Sequence, residues 1–243
     1  MAAALAEREQ RLRRSEQLAA VGKMAAQIAH EVRNPLSSIG LNAELLSDEV
    51  AGDGEAADLL RAIVREVDRL TRITEQYLRF ARLPDPHFEP GDLCSLVRSV
   101  LAFQQEDLGA RGVQLSADIP AALPPLPIDE NQLRQGLLNL LRNAAEAMAD
   151  QPPAERAIAV RVEAVQGGVE LRVRDRGPGI PPALRQRIFE PFFTTKKGGT
   201  GLGLALVQEV AQRHGGRLQV ASPPPGASVG TEFTLWQIGR AHV

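Results

Sequence analysis

Leu83-Pro-Asp-Pro-His-Phe-Glu-Pro-Gly91 divides the chain. Its three prolines cannot continue a helix: each lacks a backbone N–H, and its ring opposes the carbonyl four residues back. Residues 84–91 therefore read as a linker, and the pattern differs on its two sides. Upstream, from residue 5 to about residue 83, glycine is confined to Gly22, Gly40, Gly52 and Gly54. Apolar side chains recur at Leu18, Val21, Ala25, Ile28, Val32, Leu36, Ile39, Ala43, Leu46 and Val50. Spacings of three and four alternate along this series, with one stutter at Val32–Leu36 beside Pro35, which is the pattern of a coiled-coil seam. A second stripe runs through Leu60, Ile63, Val67, Leu70, Thr74 and Tyr77, and Ala51-Gly-Asp-Gly54 joins the two helices. One hairpin buries such stripes poorly. Two hairpins bury them as a four-helix bundle, so residues 15–83 are expected to form a homodimer. An intramolecular coiled coil is the alternative. Residues 1–14 read as the end of an upstream helical linker, and residues 239–243 as a tail or cloning remnant.

Downstream the periodicity becomes mixed. Asp92 should cap a helix reaching about Gly109, and Val113–Ile119 alternates as a strand does. After a proline-rich loop, Asp129-Glu-Asn-Gln132 opens a helix to about Met148. Ala157–Ala164 and Val169–Asp175 read as strands, and residues 176–200 as glycine- and proline-rich chain with a short turn. Leu202–His214 is a helix stopped by Gly215-Gly216. Arg217–Ala221 and Thr231–Ile238 are the last strands. The expected fold class is thus a helical hairpin forming a dimeric four-helix bundle, followed over residues 92–238 by a two-layer α/β sandwich.

Composition sets outer bounds. Of 243 residues 44% are hydrophobic and 24% charged, with a net charge of −2, so neither wholesale disorder nor nucleic-acid binding by bulk basic charge is expected. No apolar run approaches the length of about 18 residues needed to span a membrane, and the N-terminus lacks a signal-peptide core. The single cysteine, Cys94, excludes an internal disulfide framework and fits a cytoplasmic, reducing compartment; on an apolar helix it reads as core. His87 and His214 read as structural. Only three of the 28 basic residues are lysines, so Lys196 and Lys197 stand out.

Four segments carry chemistry. In His30-Glu-Val-Arg-Asn-Pro-Leu36, Pro35 bends the helix just after His30, which lies off the apolar seam. A neutral, accessible imidazole is a competent nucleophile at physiological pH. Glu31 could accept its Nδ1 proton, and Asn34, four residues on, could orient water. In Asn139-Leu-Leu-Arg-Asn143-Ala-Ala-Glu146, the residues Asn139, Asn143 and Glu146 line one helix face. Their oxygens suit a hard cation such as magnesium, which shares its ligands with phosphates and water. Asp175-Arg-Gly177-Pro-Gly179-Ile180 ends a strand with a carboxylate, able to accept from an exocyclic amine such as that of adenine, and with glycines that let backbone approach a flat ring. Gly198-Gly-Thr200-Gly201-Leu202-Gly203 runs into a helix, whose free N–H groups make a phosphate cradle.

With Phe189–Lys196 as a fifth, these segments resemble the five sequence boxes of the sensor histidine kinases of two-component systems. His30–Leu36 resembles the phospho-acceptor box and Asn139–Ala147 the N box. Asp175–Ile180 resembles the G1 box, Phe189-Glu-Pro-Phe-Phe-Thr-Thr-Lys196 the F box, and Gly199-Thr-Gly-Leu-Gly203 the G2 box. They occur in the family's order, and the Phe-Phe-Thr-Thr-Lys spelling is most like the nitrogen-regulation type. The resemblance implies that ATP phosphorylates His30, with Glu31 as base, and that the phosphoryl group then passes to an aspartate of a response regulator, of the sigma-54-dependent class in that subfamily. It implies that Asn34 helps water remove phosphate from the regulator. It places adenine at Asp175, Gly177 and Gly179, and Mg2+ at Asn143 with support from Asn139 and Glu146. The triphosphate falls at Gly199–Gly203, with Lys196 nearby, and residues 181–200 act as a lid. Two rivals are an ATP-driven clamp of the gyrase, chaperone and mismatch-repair type, and a non-catalytic dimerisation and docking module. The His30 box on a paired helix opposes the first, and Asn143, Asp175 and Gly201 oppose the second.

Overall fold

A computed structural model describes residues 32, 35–46, 54–81, 83–166, 168–196 and 199–238. His30, Glu31 and Asn34 lie outside these residues, as do the first half of the upstream seam, the loop at 51–53 and the tail. The chain divides into two compact units between Pro84 and Asp85.

In the first unit, residues 35–46 form helix α1 and Glu55–Ala81 helix α2. They meet where Gly40 of α1 lies against Val67 of α2: a Cβ on Gly40 would stand 3.3 Å from Val67 Cγ1. Leu36 and Ala43, one heptad apart, are buried, and so is Ala57. Ile39 and Leu46 belong to the same stripe yet remain 48% and 50% exposed, and Ile63 of α2 is 44% exposed. One hairpin therefore buries only part of its apolar stripes.

The second unit begins with the strand β1 (Glu89–Gly91) and the helix α3 (Leu93–Ala110). The strands β2 (Gln114–Asp118) and β3 (Leu126–Ile128) precede the helix α4 (Glu130–Ala147). Strands β4 (Ala157–Val165) and β5 (Gly168–Asp175) form a hairpin, and α5 (Gly203–Arg213) leads to β6 (Arg217–Ala221) and β7 (Thr231–Ile238). The main sheet has the order β2-β4-β5-β7-β6, with β2 parallel to β4 and every other pair antiparallel. Alternate residues Ile158, Val160, Val162, Leu171, Val173, Phe233 and Leu235 are buried, while Arg161, Arg172 and Arg174 alternate with them on the other face. On the helix side, Leu133, Leu137, Leu140, Leu141 and Ala144 of α4 and Val207, Val210 and Ala211 of α5 are buried. Each leucine or valine among them, removed from water, contributes about 1.5–3 kcal/mol. Gly136 permits the close crossing of α4 and α5, its Cβ position lying 3.8 Å from Val210 Cγ1. This is the two-layer sandwich that the mixed periodicity predicts, and Cys94 lies fully buried in it.

One expectation needs correction. Residues 84–91 read as plain linker, but Glu89–Gly91 pairs antiparallel with Leu126–Ile128, inside the loop read as merely proline-rich. Pro90 faces Pro127. Neither has an N–H, so these two form a pair without mutual hydrogen bonds and the flanking residues carry the ladder. A three-residue strand containing proline has no periodic signature.

His214 shows what a structural histidine does here. It caps the C-terminal end of α5, with Nδ1 donating to the Val210 carbonyl at 2.8 Å. Its Nε2 accepts from the Asp129 backbone N–H at 3.0 Å. Asp129 in turn caps α4 through Gln132 N (3.0 Å) and accepts from His87 N (3.0 Å), while the Phe88 ring meets the imidazole edge-on. These partners require the neutral ring, and burial holds the His214 pKa below its ordinary value. One buried side chain thereby ties the start of α4 to the end of α5.

Candidate functional site

The outer face of α4 gathers the site. Asn139, Asn143 and Glu146 are partly exposed along it, while Leu140, Leu141, Ala144 and Ala145 face the core. The Lys196 ammonium donates to Glu146 Oε2 at 2.6 Å and to Asn143 Oδ1 at 3.3 Å, across some fifty positions of sequence. Arg142 donates to Asn139 Oδ1 at 2.9 Å, and its Nε lies 3.8 Å from Glu146 Oε1. Spacing alone put the two asparagines and Glu146 on one face; the fold adds two cations to that face.

The start of α5 meets the same face. A Cβ on Gly203 would stand 3.6 Å from Asn143 Nδ2 and 3.7 Å from Asn139 Oδ1. No side chain caps this helix, so its first-turn N–H groups point outward beside the α4 carboxamides. Leu202 is 4% exposed, anchoring the helix start in the core, so it can serve a ligand only through its backbone. Gly199 N–H donates to the Lys196 carbonyl, closing a turn, and Thr200 follows it. Gly201 has φ +66°, and a Cβ there would overlap the backbone of Phe192 and stand 2.6 Å from the Phe193 carbonyl oxygen. Phe192 N–H donates to the Gly201 carbonyl at 3.1 Å. The segment read as the F box is thus laid against the glycine loop. Phe189 packs edge-on against Phe233, and Arg187 stacks over Phe193 at 4.4 Å.

Asp175 closes the other side. Val169, Leu171, Val173 and Asp175 share the inward face of β5, so the carboxylate continues an apolar stripe and is only 5% exposed. Its Oδ1 accepts from Gly177 N at 2.8 Å and from Thr231 N at 3.1 Å. Among the described residues none donates to Oδ2. Burial pushes the Asp175 carboxyl above the usual carboxylate range, against the pull of the two N–H groups and of the Lys196 charge. Gly177 lies against the end of α4, its Cβ position 3.3 Å from Ala147 Cβ, which joins the Asp175 loop to the asparagine face. Gly179 has φ +83° and passes between Ser222 and Gly230.

A hard divalent cation fits this donor set. Two oxygen-bearing side chains, Asn143 and Glu146, already hold a positive charge between them. Among the described residues no group of three or more His, Cys, Asp or Glu could hold a metal ion; a cation at Asn143 and Glu146 would suit magnesium, which shares its ligands with phosphates and water. A purine also fits: Asp175 offers an open acceptor, and glycines lie where side chains would crowd a flat ring. Sequence reading missed Arg142, although its i,i+3 and i,i+4 spacing to Asn139 and Glu146 is visible. It also missed Ser222, Gly230 and Thr231, which only the sheet brings to Asp175.

Comparison with known proteins now bears on this geometry. Residues 128–239 match the family described as histidine kinase-, DNA gyrase B- and HSP90-like ATPase. Residues 20–86 match the His Kinase A (phospho-acceptor) domain. The chain belongs to the sensor histidine kinases. It is 37% identical over 225 residues to the sensor histidine kinase ZraS of Escherichia coli K12, covering 93% of this chain and 47% of that protein. The chain thus spans about half the length of the curated relatives it matches. Among solved structures, full-length ShkA in complex with AMPPNP superposes with a TM-score of 0.72 at 29% identity, covering 92% of this chain and 47% of that one. The histidine kinase ThkA in complex with the response regulator TrrA superposes with a TM-score of 0.63 at 26% identity, covering 94% and 64%. Among the described residues no helix is long and apolar enough to cross a membrane.

Proposed function

We propose that this chain is the catalytic core of a dimeric, cytoplasmic two-component kinase: it binds Mg-ATP on the second unit, phosphorylates His30 and passes the phosphoryl group to a response-regulator aspartate. The observation that carries this reading is the Lys196 ammonium held by Asn143 and Glu146 beside the uncapped start of α5. That arrangement is a charge-balanced seat for phosphates and a cation. Asp175 Oδ2 accepts from the adenine amine, and Gly177 and Gly179 admit the ring. The backbone of Gly199, Thr200, Gly201, Leu202 and Gly203 surrounds the triphosphate, beside the first-turn N–H groups of α5. With nucleotide present, Lys196 would pair with a phosphate oxygen, and Asn143, supported by Asn139 and Glu146, would hold the metal. Magnesium, when bound there, would offset the negative charge of the phosphates. The His30 imidazole is the nucleophile, Glu31 takes its proton, and Asn34 orients the water that hydrolyses the regulator's phosphoaspartate to aspartate and inorganic phosphate in the separate phosphatase reaction. Dimerisation covers Ile39, Leu46 and Ile63. The match of residues 20–86 to the phospho-acceptor domain favours a kinase over an ATP clamp, and the ThkA–TrrA complex supports a receiver-domain partner. A regulator of the sigma-54-dependent class follows from the nitrogen-regulation spelling of residues 189–196. Incubation with γ-labelled ATP tests the whole reading: acid-labile, base-stable label on the chain is expected, and nucleotide binding without such label overturns it.

Two consequences concern the pocket. Gly201→Ala is expected to weaken ATP binding more than tenfold in a calorimetric titration. A left-handed backbone costs a non-glycine residue about 1–2 kcal/mol, and the new methyl must also push Phe192 and Phe193 off the loop. Unchanged affinity would show that the loop does not set the phosphate seat.

Asp175→Asn is expected to weaken ATP binding by about 1–3 kcal/mol, because the carboxamide presents an N–H2 to the adenine amine. The free chain should be no less stable. The raised pKa means that the folded state holds its proton more tightly than the unfolded state does. Stability linked to Asp175 is therefore present below the ordinary carboxylate range and lost as pH rises through the raised pKa. At neutral pH the substitution removes that loss. ATP affinity of the wild type should fall on acidification through the same raised pKa, and the Asn variant should lack this component. Thermal melts and titrations across pH check both; a variant that melts lower and binds ATP normally contradicts the role of Asp175.

A further inference from the structure

Ser222 immediately follows β6, is 3% exposed and has no assigned contact with nucleotide or metal, but it packs behind the Asp175 loop at Gly179. Its Oγ accepts from Ile180 N–H at 2.7 Å and donates to the Gly230 carbonyl at 2.8 Å, with Thr231 Oγ1 at 3.5 Å. A hydroxyl has one proton and two lone pairs, so the proton goes to Gly230 and a lone pair takes Ile180. These two partners sit at the ends of the two segments that hold Asp175. Ile180 ends the loop whose Gly177 N–H reaches Asp175 Oδ1, and Gly230 precedes Thr231, whose N–H reaches the same oxygen. Close packing leaves both segments little freedom. A Cβ on Gly179 would stand 2.9 Å from Ser222 Oγ and 3.3 Å from the Gly230 oxygen, and a Cβ on Gly230 would overlap the Asp175 carbonyl oxygen. The Asp175 carboxylate is thus oriented by two backbone donors, and one hydroxyl is hydrogen-bonded behind both.

We propose that Ser222 is the positioning residue that sets the base specificity of this site: by clamping Ile180 and Gly230 it holds Asp175 Oδ1 occupied and leaves Oδ2 aimed at a 6-amino purine. The proposal rests on the reading of Asp175 as the base contact. Without the hydroxyl, Ile180 N–H and the Gly230 carbonyl lose a shared buried partner, the two segments separate, and the carboxylate is no longer fixed. The phosphate seat at α4 and α5 keeps all its own contacts. The loss should therefore fall on recognition of the base and spare the triphosphate.

The test uses the full chain and two probes, ATP and ITP, which differ at the purine 6-position, an amine against a carbonyl. Dissociation constants with Mg2+ are measured for wild type, Ser222→Ala and Asp175→Asn. Wild type should prefer ATP. Ser222→Ala should lose about tenfold or more of that preference, the scale of a buried hydrogen bond, with ITP affinity nearly unchanged. Ser222→Cys, isosteric but a weak donor and acceptor, should fall between the two. If the alanine chain does not fold by circular dichroism, the cysteine chain carries the same comparison. Equal weakening of ATP and ITP, or an unchanged ratio, overturns the positioning role. Failure of the underlying reading looks different: Asp175→Asn would then leave the ATP-to-ITP ratio of the wild type unaltered.

Discussion

A His30→Gln chain takes up no acid-labile phosphate from γ-labelled ATP and still binds Mg-ATP with nearly wild-type affinity. Glutamine is a good helix former, so the substitution is compatible with the helix that the sequence predicts around residue 30. It has hydrogen-bonding atoms of similar reach, but its amide nitrogen has no free lone pair with which to attack phosphorus. The residues read as the nucleotide pocket, Asn139, Asn143, Glu146, Asp175 and Gly199–Gly203, all belong to the other compact unit, beyond Pro84. The expected change is thus complete loss of one observable with retention of another. Phosphate retained on the purified variant would move the acceptor elsewhere. Loss of ATP binding along with the label would mean that the substitution had damaged the fold rather than removed a nucleophile.

Glu31→Ala and Asn34→Ala should separate the two activities assigned to the phospho-acceptor helix. Glu31 stands next to His30 in sequence and, in the proposed mechanism, takes part only when a proton leaves the imidazole. Its removal should slow autophosphorylation by about 10²–10⁴-fold, the usual contribution of a general base, and leave dephosphorylation of the regulator largely intact. Asn34 lies four residues further along the sequence and, in the proposed mechanism, orients water. Its removal should leave labelling of His30 in place and depress phosphate loss from a prephosphorylated regulator. Both variants keep Pro35, so the backbone restriction imposed by its ring is common to both time courses. If each substitution lowers both activities in parallel, residues 30–34 act as one structural unit and the division of labour is wrong.

Much of the second unit was legible because its elements bury one face each. The alternation of Val169, Leu171, Val173 and Asp175 announces a strand, and it announces that Asp175 faces inward with the apolar residues. The spacing of Asn139, Asn143 and Glu146 announces a shared helix face, since i, i+4 and i+7 positions coincide every two turns. Glycines at 201 and 179 announce backbone that a side chain could not follow, and both have positive φ. The phospho-acceptor box was legible as a pattern of residue types around Pro35, although those side chains lie outside the described residues.

What the sequence by itself determined was therefore local: where helices and strands run, which residues share a face, where side chains must be absent, and, from the order of the motifs, which family the chain belongs to. The tertiary structure alone decided what meets across long intervals. Lys196 reaches Asn143 and Glu146 because α5 is docked on α4 through Gly136 and Val210. Thr231 and Ser222 reach the Asp175 loop because β7 pairs with β5 and β6 with β7. β1 exists because Leu126–Ile128 is there to pair with it. Periodicity encodes the solvent boundary of a single element. A hydrogen bond between elements depends on their relative placement, which is set by the packing of the whole core and leaves no period in the chain.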